Sequence, residues 1–133
     1  MVTDAINIKD AFYINIGINF DIVAQSGYNN NDVITNCIVA LKDFFNINKW
    51  TINQPIITSD INSVLLQVKG VQSITKLEII NKQDDTGLTY SKYAYDIHGA
   101  TRQGNIYPSM DPSIFEVRYP DLDIQGRVVP FVI

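Results

Sequence analysis

"YINIGINFDIVA", residues 13–24, decides the fold class. Within it Ile14, Ile16, Ile18, Phe20 and Ile22 alternate with Asn15, Gly17, Asn19 and Asp21. Successive side chains of an extended backbone point to opposite faces, so this alternation gives one apolar face and one largely polar face. The pattern predicts a long strand packed on one side only, with Gly17 marking a bulge or a close approach of another group. A strand with a single apolar face needs a second layer to cover it.

The residues that follow supply that layer. "SGYNNN", residues 26–31, is a turn rich in residues that tolerate unusual backbone angles. A helix is expected over residues 32–45, where Ile34, Cys37, Ile38, Leu41, Phe44 and Phe45 recur at three- and four-residue spacing. Asn30 or Asn31 is the expected cap, and Asp32 suits the positive end of the helix. Residues 49–57 read as a connector with a short extended stretch around Trp50 and Ile52. A second helix is expected over residues 60–69, capped by Thr58 or Ser59, with Ile61, Val64, Leu65 and Val68 as its stripe. Gly70 is placed to end it in a left-handed conformation. Residues 71–80 then read as a strand, with Thr75, Leu77 and Ile79 on one face and Lys76 and Glu78 on the other, and residues 82–87 as a polar turn. The expected class is α+β: a small, mainly antiparallel sheet with two helices packed on one face. Its predicted core includes Ile16, Ile18, Phe20, Ile38, Leu41, Val64, Leu65 and Leu77.

From Leu88 the character changes. Tyr90, Tyr93 and Tyr95 fall in an expected strand over residues 89–97. Beyond it Gly99, Gly104, Pro108, Pro112, Pro120, Gly126 and Pro130 discourage long regular elements. Yet Ile106, Tyr107, Ile114, Phe115, Val117, Tyr119, Ile124, Val128, Val129 and Phe131 are too apolar for a disordered tail. The expected organisation is a domain over residues 1–97 and an irregular, extended C-terminal arm over residues 98–133. The arm lies either on its own domain or on a neighbouring subunit.

The sequence is poor in catalytic material. Its one histidine, His98, precedes Gly99 and reads as a turn or surface residue. Its one cysteine, Cys37, lies in the apolar stripe of the first helix and reads as a core thiol. One His and one distant Cys do not make a metal site. The acidic pairs Asp84–Asp85 and Asp121–Asp123 fall in turn-like, solvated sequence, whereas acid–base work needs carboxylates in a cleft with unequal environments. Asp111-Pro112-Ser113 reads as a turn opening. No phosphate-binding glycine loop or nucleophile elbow occurs. The expectation is therefore a non-enzyme with no catalytic, cofactor-binding or metal-ligating residues. With 14 acidic and 10 basic residues, scattered rather than striped, the chain is not expected to bind nucleic acid. No apolar run is long enough to span a membrane, and the start, from Met1 to Ala5, lacks the layout of a secretory signal.

The order of elements from Phe12 to Asn81, closing on "GVQSITKLEII", resembles the C-terminal domain of the baseplate J-like family. "GATRQGNIYPSMDPSIFEVRYP" (residues 99–120) and "DIQGRVVPF" (residues 123–131) resemble the end of the baseplate wedge protein of T-even-like myophages. The resemblance covers most of the chain, although members of that family are much longer. It implies a structural virion protein of a contractile-tail baseplate, assembled in the host bacterial cytoplasm. The implied partners are a second copy, as a homodimer, and other wedge subunits. Within the matching motifs Tyr107, Pro108, Phe115, Arg118, Tyr119 and Arg127 are candidates for interface contact, or for cover of the domain's own core. The alternative function from another class is a small α+β ligand-binding domain without catalysis.

Overall fold

The computed structural model describes residues 12–108 and 112–130. The readings placed on Met1 to Ala5, Asp111 and Phe131 lie outside the described residues. In chain order the elements are β1 (Phe12–Ala24), α1 (Asn30–Phe44), β2 (Ile56–Ile57), α2 (Thr58–Leu66), β3 (Val71–Asn81), α3 (Ile97–Ala100), β4 (Thr101–Arg102), β5 (Asn105–Ile106), β6 (Ser113–Glu116), α4 (Pro120–Asp123) and β7 (Ile124–Val128). The class is α+β, as the alternation in β1 and the two helical stripes require.

The long strand β1 is the centre of the main sheet. On one side it pairs antiparallel with β3, with Ile18 opposite Ile79 and Phe20 opposite Leu77. On the other side two short strands share it, both parallel: β6 sets Phe115 opposite Ile14, and β7 sets Gly126 opposite Phe20. Residues expected to form an irregular arm are thus partly strands of the main sheet, and they pack on their own domain. Prolines confine these strands to a few residues each. Their apolar side chains Ile114, Phe115 and Ile124 enter the same core as Ile14, Ile16 and Ile18. Asn53, with φ 64°, fixes β6 from outside: its N–H donates to the Ser113 carbonyl at 2.6 Å, and its side chain accepts from the Ser113 N–H at 3.0 Å. A second, small antiparallel sheet joins β2, β5 and β4. Its hairpin turns through Gln103 and Gly104, both at positive φ, the backbone that suits a two-residue turn.

The cap of α1 is Asn29, one residue before the expected pair; its side chain accepts from the N–H groups of Asn31 and Asp32. Val33, Cys37 and Leu41 form the buried line of α1, so the stripe is rotated slightly from the expected one, with Ile34 and Ile38 at its margin. α2 buries Ile61 and Leu65. Neither Thr58 nor Ser59 caps it; the Thr58 hydroxyl instead donates to the Gly104 carbonyl at 2.6 Å, tying α2 to the β4–β5 hairpin. Gly70 takes φ +96° as expected. The short extended piece before α2 lies at Ile56–Ile57 rather than around Trp50, which is buried in a turn and packs on Phe44 and Phe45. Of the predicted core, Ile16, Ile18, Phe20, Leu41 and Leu65 are buried, and Ile38, Val64 and Leu77 are partly buried against it.

Two departures shape the outer face of the sheet. Thr75 is an extra residue in β3, because Asp21 pairs with Lys76 and Ile22 with Ile74. This bulge reverses the alternation, leaving Thr75 exposed while Ile74, Leu77 and Ile79 share the core face. The polar face of β1 is also covered at one end. Asn15 is fully buried. Gly17 marks a close approach: a Cβ there would lie 2.9 Å from Lys82 Cε and 3.2 Å from the Asp123 carbonyl oxygen. The cover is residues 82–96, which do not form the expected strand. Side-chain amides hold this segment in place of a ladder: the Ser91 N–H donates to Asn15 Oδ1 at 2.6 Å, and the Tyr95 N–H to Asn81 Oδ1 at 2.9 Å.

Candidate functional site

The covering segment and the end of β6 enclose a groove on the outer face, with a volume of about 660 Å³. Phe12 and Tyr13 of β1, Tyr90 and Tyr93 of the covering segment, and Glu116 and Arg118 line it. Phe12 meets Tyr93 edge-on, with ring centroids 4.9 Å apart, and Tyr90 meets Tyr119 edge-on at 5.5 Å. Asn15 fastens the floor: its Nδ2 donates to Glu116 Oε1 at 2.7 Å. Arg118 lies over the Tyr119 ring, its Cζ 5.6 Å from the centroid, and its Nε donates to the Tyr119 hydroxyl at 3.2 Å. Burial, and then the charge of Glu116, push the Tyr13 phenol above its ordinary pKa.

Beneath the groove Asp123 is buried, which corrects the expectation of a solvated acidic pair. The single turn of α4 folds it inward, with its N–H on the Tyr119 carbonyl at 2.8 Å. Its Oδ1 accepts from the Tyr90 hydroxyl at 2.9 Å and lies 3.8 Å from Lys82 Nζ. Burial and this carboxylate raise the Tyr90 phenol. Asp121 stays exposed and pairs with Lys42 at 2.8 Å. The other acidic pair is local scaffolding: Asp84 accepts from the N–H and hydroxyl of both Thr86 and Thr89, which holds its carboxyl well below the usual range. Leu88, at the tip of that turn, is 79% exposed.

The six candidates for interface contact fall in different places. Arg118 lines the groove, and Tyr119 packs behind it against Tyr90 and Arg118. Tyr107 and Pro108 line a separate concavity with Tyr95 and Arg102, and Tyr107 is 46% exposed. Arg127 is exposed on the open part of the sheet and makes a two-pronged pair with Asp21, at 2.9 and 3.1 Å. Phe115 is in the core at 1% exposure, on the face of β6 turned toward Tyr95, so it serves as cover for the domain itself. The sequence reading missed Phe12, Tyr13, Tyr90, Tyr93 and Glu116 as a group, because nothing in their spacing shows that residues 87–93 fold back over β1. The one local signal was the density of tyrosines after Leu88.

His98 is exposed on α3. Cys37 is buried and unbridged, and burial pushes its thiol up to about 11, far from a reactive thiolate. Among the described residues no cluster of three or more His, Cys, Asp or Glu side chains is placed to hold a metal ion, and no helix is long and apolar enough to cross a membrane. The groove offers aromatic faces and one charge of each sign, an arrangement suited to holding a peptide or side chain. No protein-family model matches the sequence, and no curated protein matches it.

Proposed function

We propose that the chain is a non-catalytic structural component of a phage contractile-tail baseplate wedge, working by association with a second copy and with other wedge subunits in the virion. The observation that carries this reading is the sequence of the C-terminal third, "GATRQGNIYPSMDPSIFEVRYP" and "DIQGRVVPF", which resembles the end of the T-even-like wedge protein. The surface is compatible with it: Tyr93, Tyr107, Leu88 and Leu122 are large and exposed, and tyrosine and arginine are among the types enriched at interface hot spots.

The test is the mass of the intact chain by light scattering over a concentration series, with and without the other wedge subunits. A dimer, or a stable complex with a wedge subunit, is the expected result. A monomer at every concentration that binds no wedge subunit overturns the proposal, and a monomer that binds a metabolite favours the small ligand-binding domain. Truncation before Gly99 is not a clean test of association. It removes β6 and β7, both neighbours of β1 on one side, so the shortened chain is expected to unfold.

A further inference from the structure

We infer that the aromatic groove is a docking site for an extended peptide segment that carries a basic and an acidic residue two positions apart. The inference goes beyond the wedge reading and does not depend on it.

Glu116, the last residue of β6, and Arg118, two positions on, flank buried Val117 and both line the groove. Opposite charges two residues apart on one strand commonly satisfy each other or a neighbour. Here neither joins an ion pair: the ion pairs among the described residues join Lys42 to Asp121, Lys49 to Asp43, Lys82 to Asp123 and Arg127 to Asp21. Glu116 is half-buried, and its hydrogen bond comes from a neutral amide, Asn15 Nδ2. A carboxylate in that position attracts an ammonium or guanidinium, and the faces of nearby tyrosines favour a cation too. Arg118 is exposed, and it rests on Tyr119 with a hydroxyl as its hydrogen-bond partner. Its guanidinium remains available to a carboxylate, for which its fork of donors is suited. Arg118 also disfavours a ligand that is only cationic, as Glu116 disfavours one that is only anionic. The complement of the pair carries both signs at matching separation. In an extended chain residues two apart project to the same side at roughly 6.6 Å, and Glu116 and Arg118 are likewise two residues apart in sequence. The aromatic walls supply contact area at low cost in side-chain entropy.

The test uses the intact 15N-labelled chain and four acetylated, amidated peptides: GRAEG, GRAQG, GQAEG and GQAQG. Amide shifts are followed by NMR titration. GRAEG is expected to move the amides of residues 87–93 and 116–118 and to bind about tenfold tighter than GQAQG, each charge contributing about threefold. Glu116→Gln keeps the acceptor for Asn15 Nδ2. It should erase the advantage of GRAEG over GQAEG and leave its advantage over GRAQG. Arg118→Gln, at an exposed position that does not threaten folding, should do the reverse. The inference is overturned if GRAEG binds no tighter than GQAQG, if the shifts map away from the groove, or if the arginine preference survives in Glu116→Gln.

Discussion

Gly126→Ala is the most direct probe of how the C-terminal segment is built into the core. Gly126 of β7 stands opposite Phe20 of β1, and the Phe20 ring lies across it. A Cβ at position 126 would come within 2.1 Å of Phe20 Cζ, 2.2 Å of Cε2 and 2.6 Å of Cε1. Carbon atoms rest comfortably at about 3.5–4.0 Å, so the ring or β7 must move by more than about 1 Å. Phe20 is 1% exposed and packs in the core, so moving its ring disturbs its neighbours. Overpacking of this kind costs about 1–3 kcal/mol. Losing a glycine stiffens the unfolded chain and returns about 0.4–1 kcal/mol; an overlap this deep takes the upper end of the overpacking range, about 3 kcal/mol, which leaves a net cost of about 2 kcal/mol. At about 2.1 cal/mol/K per residue, the 133 residues give an unfolding entropy of about 280 cal/mol/K, so the midpoint should fall by about 7 °C. Calorimetry and urea unfolding measure both quantities. Phe20→Leu in the same background tests the cause: with the ring gone the clash is relieved, and the double-mutant cycle should show a coupling above about 1 kcal/mol. A cost below about 0.5 kcal/mol for Gly126→Ala, or additive effects in the cycle, would refute the placement of β7 against Phe20.

Leu41 of α1 is fully buried, so Leu41→Ala should cost about 2–5 kcal/mol in urea unfolding; a surface-sized effect would mean the helix presents another face. Asn15→Leu removes the acceptor of the Ser91 N–H and the donor to Glu116, at about 1–3 kcal/mol for the groups left unpaired. Hydrogen exchange at Ser91 should rise by more than the global loss of stability explains. Arg127 holds the Asp21 carboxyl below its ordinary value, chiefly through its hydrogen bonds. A depressed carboxylate stabilises the fold above the unfolded pKa of about 3.9, and that contribution is lost as pH falls through the lower, folded value. Arg127→Met should therefore raise the Asp21 pKa measured by NMR and flatten the fall of stability below about pH 4.

What the sequence made legible is what short-range pattern encodes. The alternation from Ile14 to Ile22, the spacing of Cys37 and Leu41, the left-handed Gly70 and the strand "VQSITKLEII" all depend on neighbours a few residues away. The misses have long-range causes. β6 and β7 pair with residues about a hundred positions earlier, and no local period announces a strand of four or five residues between prolines. The alternation of Tyr93 and Tyr95 looks like a strand, but amides on Asn15 and Asn81 claim the backbone first. Thr75 shares the parity of Leu77 and Ile79, and only the bulge turns it outward. The groove inherits these misses, since its walls come from β1, from residues 87–93 and from the end of β6.

The position of β1 also sets an order of events at the ribosome. The first strand of the sheet takes its parallel neighbours from residues 113–116 and 124–128. At about 5–20 residues per second, the intervening length of about a hundred residues takes roughly 5–20 s to synthesise. Until residues 71–81 are made β1 has neither neighbour; after that its β3 side can form the antiparallel ladder, while the other edge stays open until residues 113–128 follow. An open apolar edge is a template for other chains. Expression of this protein should accordingly be sensitive to translation speed and to chaperones that shield extended apolar segments, more than its final stability alone would suggest.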